Sequence, residues 1–251
     1  MAEAYVRLTT KNNIGTVEFC NPSHNALPSD LLQLLVETIE EAGRDQDVKV
    51  VVLKSAGDRT FCAGASFDEL MSITDMETGK AFFSGFANVI NAMRKCPKLI
   101  IGRIQGKAVG GGVGLAAACD YTLATKYAAI KLSELSIGIG PFVIEPAVSR
   151  KMGQTAMSEM TINAEQFYDV TYAKANKLYA NVFDSVDELD ESVLELATKL
   201  SSYNPEALLQ MKNVLWQDYN HWDKLLIERA KISGTLVLSN FTKKKLAGFV
   251  N

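Results

Sequence analysis

A chain of 251 residues that is 47% hydrophobic and carries a formal charge of −3 holds enough apolar material for one large α/β domain, and its charge balance argues against a dedicated nucleic-acid surface. No apolar stretch approaches the length of a membrane span, and the N-terminus, with Glu3 and Arg7 among few apolar residues, lacks the apolar centre of a secretory signal, so a cytoplasmic protein is expected. Cys20, Cys62, Cys96 and Cys119 are spread without a CxxC pair, and only His24 and His221 accompany them, which predicts reduced thiols and no metal site.

In chain order, Tyr5 to Thr10 and Ile14 to Phe19 are β-rich runs around the turn Lys11-Asn-Asn13, a hairpin. Ser29 is placed to cap a helix whose apolar positions Leu31, Leu32, Leu35, Val36 and Ile39 keep the 3.6-residue period until Gly43. Val48 to Leu53 is a buried strand, left through Ser55-Ala-Gly-Asp58. Phe61-Cys-Ala-Gly-Ala65 then forms a small-residue loop that runs into a short helix, Phe67 to Met71. Leu99 to Ile104 is a second buried strand, and Gly106-Lys-Ala-Val-Gly-Gly-Gly-Val-Gly114 opens a compact helix through Leu115-Ala-Ala-Ala118.

Backbone N–H groups at the start of a helix lack internal partners, so negative charge on a bound oxygen is stabilised there. The N–H groups of Ala65 and Gly111 are candidates for two converging donors, an oxyanion hole, and the solitary carboxylate Glu134 is the candidate acid/base. Phe142, Val143 and Ile144 are equally compatible with an acyl pocket and with plain core, and apolar walls there would raise the pKa of Glu134. Gly112-Val-Gly-Leu-Ala-Ala117 also fits a dinucleotide-binding pattern, but the intervening strand Asp120-Tyr-Thr-Leu-Ala124 puts Glu134 in the wrong place for a ribose. A phosphate loop at Gly102 to Lys107 is one residue short.

Further on, Leu189, Val193, Leu196, Ala197 and Leu200 form a helical stripe expected to face neighbouring subunits, and Asn204 with Pro205 starts a helix to about Gln217. Trp216, Tyr219, His221 and Trp222 form an aromatic cluster that suits a core or subunit interface, and no catalytic part is assigned to His221.

Phe61-Cys-Ala-Gly-Ala65, the glycine run 106–114, Cys119-Asp120 and Leu132-Ser-Glu134, with His24-Asn-Ala-Leu27 before them and Asn204-Pro-Glu-Ala207 after, resemble the crotonase (enoyl-CoA hydratase/isomerase) superfamily over nearly the whole chain. The run 132–146 looks like its bacterial methylglutaconyl-CoA hydratase branch. The resemblance implies an α/β fold, a crotonase-type spiral of ββα repeats (1–190) with a helical C-terminal trimerisation region (191–251), assembled as a homotrimer or a dimer of trimers. It implies coenzyme A thioesters as substrates, with no separate cofactor. Ala65 and Gly111 match the two oxyanion donors, Ala26, Ala63, Ala65 and Gly111 the CoA-contacting positions, and Glu134 the second of two catalytic glutamates.

Gly114 stands where the family has the first glutamate. Ser66 replaces a common Asp, Lys177 a helix-ending glycine, and the sequence given closes at Phe249-Val-Asn251 without a basic tail, so phosphate contacts are expected elsewhere. The leading expectation is hydration of a short or branched 2-enoyl-CoA, 3-methylglutaconyl-CoA in leucine breakdown being one candidate. The alternatives are isomerisation of 3-enoyl-CoA to 2-enoyl-CoA, for which one carboxylate suffices, and a non-catalytic CoA-thioester-binding subunit. Arg59, Arg94, Arg103 and Lys131 are the cations considered for a substrate carboxylate.

Overall fold

The computed structural model describes residues 3–248; Phe249, Val250 and Asn251 lie outside the described residues. The expected hairpin is present as β1 (Tyr5–Lys11) and β2 (Ile14–Cys20), paired antiparallel, with Asn12 and Asn13 supplying the left-handed turn. Helix α1 (Ser29–Arg44) buries Leu31, Leu32, Leu35 and Ile39 of the predicted stripe and half-buries Val36, but Ser29 is not its cap. Pro28 holds that position, and the Ser29 N–H and hydroxyl both donate to the Glu69 carboxylate, at 2.9 and 2.8 Å to Oε2. A distant acid therefore neutralises this helix N-terminus.

From β3 onward the chain winds in repeating turns. Each contributes a long strand to a six-stranded sheet, a short strand to a three-stranded one, and a helix or turn. β3 (Val50–Ser55), β4 (Thr60–Cys62), α2 (Phe67–Ser72) and α3 (Met76–Lys95) form one turn. β5 (Leu99–Ile104), β6 (Lys107–Val109) and α4 (Gly111–Ala118) form the next. β7 (Tyr121–Thr125) and β8 (Ile130–Lys131), followed by a 3-10 turn at Glu134–Ile137, form the third. The large sheet runs β1-β2-β3-β5-β7-β9 and the small one β4-β6-β8; all pairings after the hairpin are parallel. This is the expected ββα spiral. β3 starts at Val50 rather than Val48, and just before it the Lys49 N–H donates to the Asn13 carbonyl of the hairpin turn at 2.9 Å.

After the spiral come α5 (Glu145–Met152), α6 (Gln154–Ile162), α7 (Val170–Ala175) and β9 (Asn181–Phe183). α7 ends at Asn176, and Lys177 takes the left-handed conformation (φ 67°) that a glycine would adopt without strain. α8 (Val186–Ser201) carries the Leu189/Val193/Ala197 stripe, and the expectation that it faces another subunit is corrected: it packs on Ile14, Val50, Val52, Ile101 and Leu123, the otherwise bare outer face of this chain's own large sheet. Residues 190 and 191, where the spiral and the helical region were expected to meet, both lie within this helix. α9 (Pro205–Trp216) starts at the predicted Asn204 cap. α10 (Trp222–Leu236) lies along α3, with Gly79 and Gly234 in backbone contact, and α11 (Asn240–Ala247) closes the chain.

Candidate active site

Two loops meet at the C-terminal ends of β4 and β6. Asn25, buried and at φ 55°, fastens the preceding turn by donating from Nδ2 to the carbonyls of Ala56 and Thr60, both at 2.9 Å. Leu27 then bridges to Ala65: its N–H donates to the Gly64 carbonyl at 2.8 Å and its carbonyl accepts from the Ser66 N–H at 3.1 Å. In a parallel bridge of this kind the middle residue turns its own N–H to the opposite side, so the Ala65 N–H points away from Leu27. Gly64, at φ 91°, lies so close to the other loop that a Cβ there would be 3.1 Å from the Val109 carbonyl oxygen and 3.6 Å from the Gly111 nitrogen.

α4 begins at Gly111, four residues earlier than the apolar run suggested, which makes the Gly111 N–H an uncommitted first-turn donor. Among the described residues neither it nor the Ala65 N–H donates to a backbone or side-chain acceptor. Ala63, Ala65 and Gly111 all line one cavity of about 210 Å³. Ala26 does not; it sits one residue before the Leu27 bridge, its carbonyl accepting from Asn21 Nδ2 at 2.7 Å. Ser66, in place of the usual Asp, caps α2 by accepting the Glu69 N–H at 3.3 Å.

Glu134 enters the same cavity from the 3-10 turn. The Gly110 N–H donates to the Lys131 carbonyl at 2.9 Å, which fixes the glycine loop against the strand leading to Glu134. A Cβ at Gly110 would lie 2.8 Å from Glu134 Oε1, and its φ of 51° excludes most side chains as well. Although the residue keeps some exposed surface, its Oε2 is buried without a hydrogen-bond partner. Loss of hydration pushes the carboxyl up to about 7, only partly opposed by its own backbone N–H.

The walls are mainly hydrocarbon, with Ser133 and Ser233 among them. Val143 and Ile144 are buried and line the cavity with Phe142, so pocket and core are here the same surface. Phe82, Phe83 and Phe86 of α3 complete it, and these the sequence reading missed; their signal was three phenylalanines on one stretch of an amphipathic helix. Beside Gly114, the missing glutamate's space is filled: a Cβ there would stand 2.5 Å from Ile144 Cγ2. His221 is exposed at the start of α10 and does not line the cavity.

Oxyanion donors, a glycine-rich helix start and one poised glutamate are what a thioester enolate requires. The sequence matches the family model described as enoyl-CoA hydratase/isomerase over residues 9–247. The chain belongs to the enoyl-CoA hydratase/isomerase family. It is 30% identical to the mitochondrial methylglutaconyl-CoA hydratase of Mus musculus, over 90% of this chain and 72% of that protein. It is 27% identical to the peroxisomal Delta(3,5)-Delta(2,4)-dienoyl-CoA isomerase of Arabidopsis thaliana, over 84% and 80% respectively. The crystal structure of an enoyl-CoA hydratase from Bacillus halodurans superposes with a TM-score of 0.90 at 19% identity, covering 97% of this chain and 99% of that one, a likeness of fold. As a member of this enzyme family, whose substrates are CoA thioesters, the chain is an enzyme. No helix among the described residues is long and apolar enough to cross a membrane.

Proposed function

We propose that this enzyme moves a double bond, converting a 3-enoyl-CoA to the 2-enoyl-CoA. The observation that carries the reading is that Glu134 is the one ionisable side chain among the described residues lining the cavity, while Ile144 occupies the space beside Gly114. Gly114 had left hydration and isomerisation open, with hydration placed first. The filled space reverses that order, because a water held for attack on carbon 3 would have one carboxylate, with Ile144 in the place of a second.

In the proposed reaction the thioester oxygen takes the two N–H groups of Ala65 and Gly111, with Ala26 and Ala63 flanking the CoA arm. Glu134 removes a proton from carbon 2, the C2–H pair forms the dienolate, and the same carboxyl returns the proton to carbon 4 as the bond settles between carbons 2 and 3. Negative charge is spread onto the oxygen at the stage where the two donors bind it most strongly. A carboxyl near 7 is suited to both halves of that transfer.

Hydration of a 2-enoyl-CoA is the second reading, favoured by the hydroxyl-bearing Ser133 and Ser233 in the same lining and by the name of the mouse relative. The deciding experiment is chromatography of products from 3-hexenoyl-CoA and 2-hexenoyl-CoA supplied separately. Formation of 2-hexenoyl-CoA from the first, with no hydroxyacyl product from the second, is expected; rapid hydroxyacyl-CoA formation would reverse the order again. We also propose self-association as a trimer or a dimer of trimers, supported by the exposed Met211, Val214 and Leu215 on one side of α9.

A further inference from the structure

Resting on the thioester reading, we propose that the acyl group accepted here is an uncharged hydrocarbon chain and that a terminal carboxylate on it is rejected. The apolar lining includes Leu70, Phe82, Phe83, Phe86, Ile137 and Ile139; the Phe86 ring lies against Gly111, and Leu246 of α11 packs in one cluster with Leu70, Phe82 and Ile139. No Lys, Arg or His is among the described residues that line the cavity.

None of the four cations considered from the sequence lines the cavity, and two of them are paired elsewhere. Arg94 is buried against Asp223 and Asn220, at 2.8 and 3.0 Å. Arg103 grips the Asp190 carboxylate with two N–H groups at 2.7 and 3.0 Å. The Lys131 ammonium stands 5.2 Å from the centre of the Phe167 ring, outside the cavity. Arg59 is exposed in the turn before β4.

A carboxylate at the end of the acyl chain would lose its hydration without gaining a cation, and it would share a low-dielectric space with Glu134, a group of the same sign. A methyl group at that place instead gains contact with aromatic carbon. The substrate class is therefore a simple or branched enoyl chain, not the dicarboxylic acyl group named for the mouse relative.

Titration calorimetry on the wild-type protein with saturated thioesters, which cannot turn over, tests this without reference to the reaction. Hexanoyl-CoA, glutaryl-CoA, the monomethyl ester of glutaryl-CoA and free CoA form the series. Hexanoyl-CoA and the ester should bind within a few-fold of each other, and glutaryl-CoA roughly a hundredfold more weakly. Equal binding of glutaryl-CoA and hexanoyl-CoA would overturn the proposal and leave the thioester reading standing. An ester as weak as the free acid would also overturn it, since shape and not charge would then be selected. If no thioester binds better than free CoA, both readings fall together.

Discussion

Two buried carboxylates, Asp120 and Glu134, lie fourteen residues apart in one chain and have opposite surroundings. Asp120 Oδ2 accepts from the Ile100 N–H and the Lys212 ammonium, both at 2.7 Å, and Oδ1 accepts from the Trp216 indole at 2.7 Å. Lys212, itself buried, spends a further proton on the Met93 carbonyl at 3.1 Å, so the group ties β5, α3 and α9 together. Glu134 has a glycine on one side, a mainly hydrocarbon cavity before it and an oxygen with no partner. A carboxylate with both oxygens engaged holds a fold; one with an unengaged oxygen is available to a proton.

The largest effect should come from breaking the engaged one. Lys212→Ala leaves Asp120 buried without its cation, which is expected to cost about 3–5 kcal/mol. Thermal denaturation would show it as a large fall in melting temperature, with turnover per folded molecule retained at low temperature. A loss below about 1 kcal/mol would mean that the pair is not the brace described here.

Glu134→Gln should do the reverse. Size and shape are kept while proton transfer is lost, so turnover should drop by roughly a hundredfold or more with thioester affinity little changed. Retained turnover would remove Glu134 from the chemistry. In the wild type, kcat/KM should rise with pH through about 7, as the carboxyl becomes a base.

The same substitution should stabilise the fold, and only at the alkaline end. The folded chain holds the Glu134 proton to about 7, against an ordinary value of 4.5, so the favourable contribution of the neutral form is complete below 4.5 and lost as pH rises toward 7. That gap corresponds to about 3 kcal/mol at most, and glutamine does not titrate. Denaturant midpoints at pH 5, 6, 7 and 8 should show a difference that grows in favour of Glu134→Gln and levels off above 7. A difference that does not change with pH would mean that the carboxyl is hydrated in the folded protein.

How far each of these groups could be read from the chain follows from the range of its partners. The hairpin, the glycine loops and Glu134 rest on local signals: turn residues, glycine runs, and apolar residues bounded by breakers. The alternation of strands and helices and the pairing of the two loops as donors followed from them, and the ββα spiral from the family resemblance. Asp120 appeared only as part of a motif, because its partner Lys212 lies 92 residues away. Ser29 looked like a cap because nothing local shows that Glu69, 40 residues on, occupies its N–H. The α8 stripe has the same periodicity whether it covers this chain's sheet or a neighbour's, so only the placement of β2, β3, β5 and β7 decided between them. The block at Gly114 was the least legible, since it depends on a side chain from the start of α5.

That block yields the smallest expected effect and separates packing from chemistry around Glu134. In Gly114→Ala the new methyl meets Ile144, at 2.5 Å from Cγ2 and 2.8 Å from Cβ, and the overpacking should cost about 1–3 kcal/mol. Ile144→Ala should also destabilise, by about 2–5 kcal/mol, through the cavity it leaves. Together the two changes relieve each other, since the added methyl enters the space the isoleucine vacates, and the double variant should be more stable than the sum of the two losses by about 0.5–2 kcal/mol. Denaturant unfolding of the four proteins measures that coupling. Additive losses would mean that Ile144 can swing aside, leaving room by Gly114 for a water and restoring hydration to first place.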